Sequence, residues 1–446
     1  VIQTELSGLI PAVDRKVREN PSDLPREVLA PLNRAGFFSM WIPKFFGGRG
    51  FHPLSMQAFN EEMGAACLGI ANIVGAHYVG LGLISLTFHY EILRRVVRSV
   101  RRHESGASPF LLSAAITEST AGTDLEDPVL IRRAKVHCHA KKVDGGYLLN
   151  GSKVYISNAP WAGLHVVAAY EDLAQPASSS VVLAVPADTK GVSVGTPEKK
   201  MGQHACPAAE VFFRDCFVSD DQVCLSPSQF ARREDFEKFG DFFVDDLLAL
   251  SRAGVGALAA GVAGRVHSEL IEWLARHQTN SEWAQSEAAR TLMNWKEAQL
   301  IADAAHLEHL NRGAMKDISS NAFLRVQKWT PAWVQEKTLG AGLASSRMRD
   351  SLRRRRLQTP TAEDTRVLSG HGSWAKSSAS RLAMRNLRIA ISMMGLTPTL
   401  EKILRDAKLL EIFEGTSALN DLNVFRQLCG PSLAGFQPFS DPEVRS

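Results

Sequence analysis

The chain has 446 residues, 45% of them apolar and 22% charged, with a formal net charge of +4. That leaves room for several domain-sized units around a sizeable core, and the charge is too small for a nucleic-acid partner to be expected. The six cysteines, at positions 67, 138, 206, 216, 224 and 429, form no C-x-x-C pair, which argues against a metal site or a disulfide framework and suits a reducing compartment.

Residues 1–112 read as helices. "DLPREVLAPLNRAGFF" has apolar residues at helical spacing and a helix stop at Gly36. "IPKFFGGRGFHP" is a Gly/Pro-rich loop, after which "SMQAFNEEMGAACLGIANIVGAHYVGLGLI" returns to helical spacing. No uninterrupted apolar run suggests a membrane span, so a cytoplasmic protein without a membrane partner is expected. A chain that opens on Val1 is compatible with a removed targeting segment.

From Ser113 the texture changes. "RAKVHCHAKKVDGGYLLNGSKVYIS" alternates, is rich in β-branched residues and carries two turn signals, Asp144-Gly145-Gly146 and Asn150-Gly151. "HVVAAY", "SSVVLAVP" and "AEVFFRDCFV" extend the strand character, giving a β unit over 113–234. The helical period returns over 235–446. "DDLLALSRAGVGALAAGVAGRVHSELIEWLARH" reads as one long buried helix with a small-residue stripe at Gly254, Ala257, Gly261 and Gly264. Further helices are expected over 286–312 and 374–392. The fold class is therefore α+β, mainly α.

Several stretches could carry chemistry. "AAITESTAGTD" leaves a strand into a turn whose amides and hydroxyls could bond a planar ring or a phosphate, although by itself it reads as a polar turn. In "NGSKVYISNAPWA", Tyr155 and Ser157 share one strand face, an aromatic ring beside a hydroxyl. "EIFEGTSALN" places Glu414 between an apolar pair and a flexible Gly-Thr, either a decorated helix end or a base. "HCH" at 137–139 reads as a solvated strand face. There is no G-x-G-x-x-G, P-loop, G-x-S-x-G or H-E-x-x-H motif, which argues against the common dinucleotide, nucleotide, hydrolase and zinc-protease sites.

Taken in order, "TESTAGTD", "NGSKVYISN", "MGQHACPAAEVFFRDCFV", "WAKSSASRLAMR" and "LEKILRDAKLLEIFEGTS" resemble the acyl-CoA dehydrogenase family over nearly the whole chain. The resemblance implies an N-terminal helical domain, a middle β-barrel-like domain and a C-terminal four-helix bundle, with FAD between the last two. It implies homodimers or homotetramers, an acyl-CoA substrate and an electron-transferring flavoprotein as acceptor. Ile116 and Thr117 match positions that bond the flavin ring; Gly122 and Thr123 match the loop that reaches the cofactor. Tyr155 stands where a Trp is usual and Ser157 where a Thr is usual; Thr416 matches a further cofactor contact.

Glu414 matches the catalytic base, with Gly415 giving its loop the bend and Arg252 beside it on the substrate side. A carboxylate against Ile412 and Phe413 is expected to have its pKa raised. The alternative base position of some relatives, just before Arg252, is Ser251. There are departures too. Ser119-Thr120 replaces a usual Pro; Arg276 matches an arginine that binds FAD pyrophosphate across the dimer but lacks the Phe-Gly expected after it; and "ISMMGLTPT" replaces a Gly-Gly-x-Gly segment. The stretch 313–368 is longer than the family's connection and holds the arginine run "RMRDSLRRRRLQ". Such a run reads as a solvated face, or as a docking surface for an acidic partner, an anionic membrane or CoA phosphates. An acyl-CoA oxidase, another flavin oxidase or monooxygenase, and a non-catalytic subunit of a mixed assembly remain open alternatives.

Overall fold

A computed structural model describes residues 26–127, 130–278, 281–316, 320, 325, 328–359 and 361–430. The helical reading of residues 1–25, the pair 279–280 where the Phe-Gly was expected, parts of the 313–368 stretch and the C-terminal 431–446 lie outside them. α1 (Arg26–Arg34) is followed by Gly36 at φ +81°, a left-handed stop that glycine tolerates. The long helical run expected after the Gly/Pro loop is two helices, α2 (Ser55–Ala66) and α3 (Leu68–Leu86), separated at Cys67, whose backbone is extended. α4 (Tyr90–His103) buries Ile92, Leu93, Val96, Val97 and Val100 at helical spacing and turns Arg95, Arg98, Arg101 and Arg102 outward.

The middle unit is an eight-stranded mixed sheet of β1 (Leu111–Ala115), β2 (His139–Val143), β3 (Gly146–Ser157), β4 (Ala162–Tyr170), β5 (Ser180–Pro186), β6 (Val192–Val194), β7 (Ala208–Ser219) and β8 (Val223–Leu225). Its order is β6-β7-β3-β2-β4-β5-β8, with β1 added in parallel to β4. β2 and β3 form the hairpin that Asp144-Gly145 announces, Gly145 lying at φ +73°. Asn150-Gly151 is not a turn. It sits inside β3 at a register shift against β7, with Gly151 at φ +136°, where a Cβ would meet the Cys138 Cα at 2.7 Å. The pair that reads as a hairpin signal in one dimension lies inside a strand in three, opposite an extra residue on β7.

The C-terminal part is built on α5 (Arg233–Arg276), α6 (Glu282–Arg312), α7 (Ser346–Gln358), α8 (Ala362–Met394), α9 (Pro398–Lys408) and α10 (Ser417–Val424). α5, α6 and α8 pack along their lengths, and α9 and α10 lie on α8. The stripe on α5 serves close approach. A Cβ on Gly261 would lie 1.9 Å from the Glu61 carbonyl oxygen of α2, and one on Gly264 would strike Trp295 of α6. α3 and part of α5 are long and apolar enough to cross a bilayer by length and composition, which the sequence reading missed. Their apolar windows are 61% and 83% buried inside the protein, as core helices are. One core cluster runs from α1 through α5 to α9, and a second fills the inner face of the sheet.

Candidate active site

After α9 the chain makes one 3-10 turn over Leu409–Glu411 and leaves the helix. Glu414 and Gly415 then adopt left-handed φ of +56° and +80°, and Thr416 caps α10 by accepting the Leu419 N–H through Oγ1. A left-handed glutamate is uncommon and has to be held. Three donors do so. Arg252 Nε of α5 donates to the Glu414 carbonyl at 3.1 Å, and buried Lys376 Nζ of α8 donates to the Gly415 carbonyl at 2.5 Å. Asn420 Nδ2 of α10 donates to the carbonyls of Glu414, Gly415 and Thr416 at 3.2, 2.9 and 3.0 Å. The Glu414 carboxylate accepts the Ser251 hydroxyl at 2.6 Å. The two positions at which the family resemblance puts a base therefore face one another across 163 residues of chain, and the acid stands at only one of them.

The setting of Glu414 corrects the expectation of an apolar one. Ile412 turns to solvent, 60% exposed, while Phe413 packs on the core. Around the base loop lie Ser251, Arg252, Glu126 and Lys376. Glu126 accepts from Arg252 Nη2 at 3.4 Å, and its Oε2 is 3.1 Å from where a Cβ on Gly415 would sit. Burial and then the charge of Glu414 push the Glu126 carboxyl above the usual range, with Arg252 and Lys376 pulling the other way. Burial and then Arg252 push Lys376 down to about 8, against the opposing pull of Glu414, Glu126 and Glu411. Arg252 is itself buried and bonds Ser373 Oγ as well, so it supports the base loop. Beside this cluster lies a polar cavity of about 140 Å3 lined by Glu126, Asp127, Asp245, Arg252, Asn423 and Arg426, where Asp127 and Arg426 pair at 3.0 Å. Burial raises Asp245 to about 7.

Ile116, Thr117, Gly122 and Thr123 sit at and beyond the end of β1. Thr117 accepts the Val154 N–H of β3 through its carbonyl, and Gly122 packs on the Thr117 methyl. Tyr155 follows on β3 at a second register shift, with φ +59° and 67% of its surface exposed, and Ser157 lies two residues on. An exposed ring on a strained backbone, next to a hydroxyl, fits a planar polar group laid against the sheet. Under this surface lies a buried ion pair. Lys153 Nζ donates to Glu118 at 2.7 Å and to the Ile116 carbonyl at 2.8 Å, while Glu118 also accepts the N–H groups of His137 and Cys138. From Thr117 to Glu126 a single short loop joins the sheet surface to the base loop.

Arg276 is exposed at the far end of α5, 24 residues and about 36 Å along the helix from Arg252. It stands apart from the other residues of the cluster. The arginine run is α7, and its key members are anchors. Arg353 is buried and donates to the carbonyls of Thr87 and Cys224 and to Gln229, over the rings of Phe230 and Phe239. Arg356 covers Phe242 and donates to Asp246. Lys376, Asn420, Glu126 and the Lys153–Glu118 pair escaped the sequence reading. The signal was present for the lysines: Lys153 occupies an inward position by strand alternation, and Lys376 lies on a face of α8 made of small residues.

A helical N-terminal part, a middle sheet and a C-terminal helical bundle, with a carboxylate loop at their junction, define a class of flavoprotein folds. Residues 6–88 match the family model of the acyl-CoA dehydrogenase N-terminal domain and residues 113–216 that of the middle domain. These two stretches of the chain are thus similar to the acyl-CoA dehydrogenases. The chain is 30% identical over 243 residues to benzylmalonyl-CoA dehydrogenase of Aromatoleum aromaticum, covering 54% of this chain and 57% of that one. The matches thus span a little over half the length of the first curated relatives. In fold it is similar to butyryl-CoA dehydrogenase from Megasphaera elsdenii (TM-score 0.66, 20% identity, 96% and 94% of the two chains) and to the FAD complex of PigA (TM-score 0.68, 18% identity, 96% and 95%).

Proposed function

We propose that the protein catalyses FAD-dependent α,β-dehydrogenation of an acyl-CoA thioester to the 2,3-enoyl-CoA, with Glu414 as the base. The observation that carries this reading is the seating of Glu414: a left-handed carboxylate loop held by donors from three helices, its carboxylate meeting Ser251. Ile116, Thr117, Gly122, Thr123, Tyr155, Ser157 and Thr416 are the residues of this chain that would hold FAD. Arg276, remote from them, would serve the site of a neighbouring copy in a homodimer or homotetramer. When bound, FAD supplies the acceptor for the β hydride. The Glu414 carboxylate takes the α proton, so that the α C–H pair becomes the new C=C bond as the β hydride departs. The electrons then pass to an electron-transferring flavoprotein. Gly415 lets the loop turn back toward α10, and Arg252 holds the backbone of the base.

The test is anaerobic. Purified protein loaded with FAD is mixed with short, long, branched, cyclic and aromatic acyl-CoAs, and the visible flavin absorbance is followed. Bleaching by at least one of them, abolished in Glu414→Gln with FAD still bound, supports the reading. Undiminished bleaching in that variant overturns Glu414 as the base, and a protein that takes up no FAD overturns the reading as a whole. Hydrogen peroxide released in air would assign oxygen, in place of a flavoprotein, as the acceptor.

A further inference from the structure

Lys376 is 0% exposed, on a buried face of α8 shared with Ser369, Gly372, Ser373, Ala379, Ser380 and Ala383. A buried ammonium is unfavourable unless it is bonded and charge-compensated. Its bonded partner in the loop is the Gly415 carbonyl. Asn420 is equally buried, and its Nδ2 lies within 3.2 Å of three successive loop carbonyls. The amide's own acceptor, Oδ1, has no partner among the described residues. Its donors alone therefore account for an amide at this place. With Arg252 these two side chains draw the carbonyls of residues 414 to 416 into the protein, and the Glu414 side chain leaves the loop toward Ser251.

We propose that Lys376 and Asn420 are positioning residues that hold Glu414 in its left-handed conformation, so that the base is aimed before substrate arrives. Neither touches the reacting atoms. The inference rests on the reading of Glu414 as base, and it adds a requirement that the resemblance to the family does not state: the base loop is locked from behind by a buried lysine and a bidentate amide. Preorganisation of this kind acts on the rate of the step and leaves binding of the thioester largely alone, because the displaced atom is the one that reacts.

Asn420→Ala and Lys376→Met are expected to lower the rate of anaerobic flavin bleaching about a hundredfold, the order expected for a misplacement near 1 Å. The acyl-CoA concentration at half-maximal rate should change less than about threefold. Lys376→Arg, which can still donate to the Gly415 carbonyl, should recover part of the loss. Hydrogen–deuterium exchange of the peptide spanning 410–420 in FAD-free protein should quicken in both variants, a readout that survives even if turnover is lost. Loss of bleaching in Glu414→Gln combined with unchanged bleaching in Asn420→Ala and Lys376→Met overturns this inference and leaves the base assignment standing.

Discussion

Replacing Lys153 with Met tests the support beneath the cofactor-facing surface. The side chain is 0% exposed, and its partner Glu118 is 1% exposed at 2.7 Å. Lys153→Met leaves the Glu118 carboxylate with only the N–H groups of His137 and Cys138, and it removes the donor from the Ile116 carbonyl. Breaking one side of a buried pair costs about 3–5 kcal/mol, and the orphaned carbonyl adds roughly 1 kcal/mol. Glu118→Gln strands the lysine at a similar cost of about 3 kcal/mol. The double variant removes both charges and keeps an oxygen for one of the N–H groups, so its cost should fall well below the sum of the singles. Urea unfolding of the four proteins at neutral pH measures this. The expected coupling is at least about 2 kcal/mol. Additivity within about 0.5 kcal/mol would refute the claim that the pair is a single electrostatic unit. Because Lys153 also fixes Ile116, FAD affinity should fall in Lys153→Met and partly recover in the double variant.

Arg353→Met should destabilise the protein by about 3 kcal/mol, since it strips the donors from two buried carbonyls. Arg354→Ala, on the exposed side of the same helix, should change stability by less than about 0.5 kcal/mol. Urea unfolding separates the two, and equal effects would mean that the arginine run has no anchoring member. His77 supplies the pH test. It is fully buried, accepts the Leu112 N–H at Nδ1 and meets the Phe38 carbonyl at Nε2, and burial lowers it to about 4. A histidine depressed from its unfolded value near 6.5 contributes stability above that pH and loses it as pH falls toward 4. Asp245, raised by burial, runs the opposite way over the same window, so the informative quantity is a difference between variants. His77→Gln should reduce the slope of stability against pH between 6.5 and 4 by up to about 1.4 kcal/mol per pH unit, and an unchanged slope would show that His77 is not neutral in the fold.

The helix–sheet–helix order, the Gly36 stop, the Gly145 hairpin and the long α5 were legible in the sequence, because each rests on local periodicity or on a backbone angle that one residue type tolerates. The small-residue stripe on α5 was legible as a stripe, and its occupants were not: Gly261 meets α2 and Gly264 meets Trp295, partners that only the packing of distant segments supplies. Asn150-Gly151 shows the limit from the other side. A strand position at positive φ and a turn ask for the same glycine, and the pairing of β3 with β7 decides between them. The arginine run is a like case, since charge density along the chain cannot say that Arg353 lies between Thr87 and Cys224.

What the sequence determined by itself was the candidate for the reacting group. Glu414, with Ser251 at the alternative position, can be read from residue types and motif order, because a general base needs a titratable side chain and an unassisted serine hydroxyl does not supply one. What only the tertiary structure decided was how that acid is held. The apolar neighbours in "EIFEGTSALN" suggested a dry pocket, yet Ile412 faces solvent, and the loop is set among Arg252, Lys376 and Glu126, from positions 162, 38 and 288 residues away in the chain. Local sequence records which chemistry a residue can do. The field and the hydrogen bonds that act on it come from side chains brought near by folding, and those act through space.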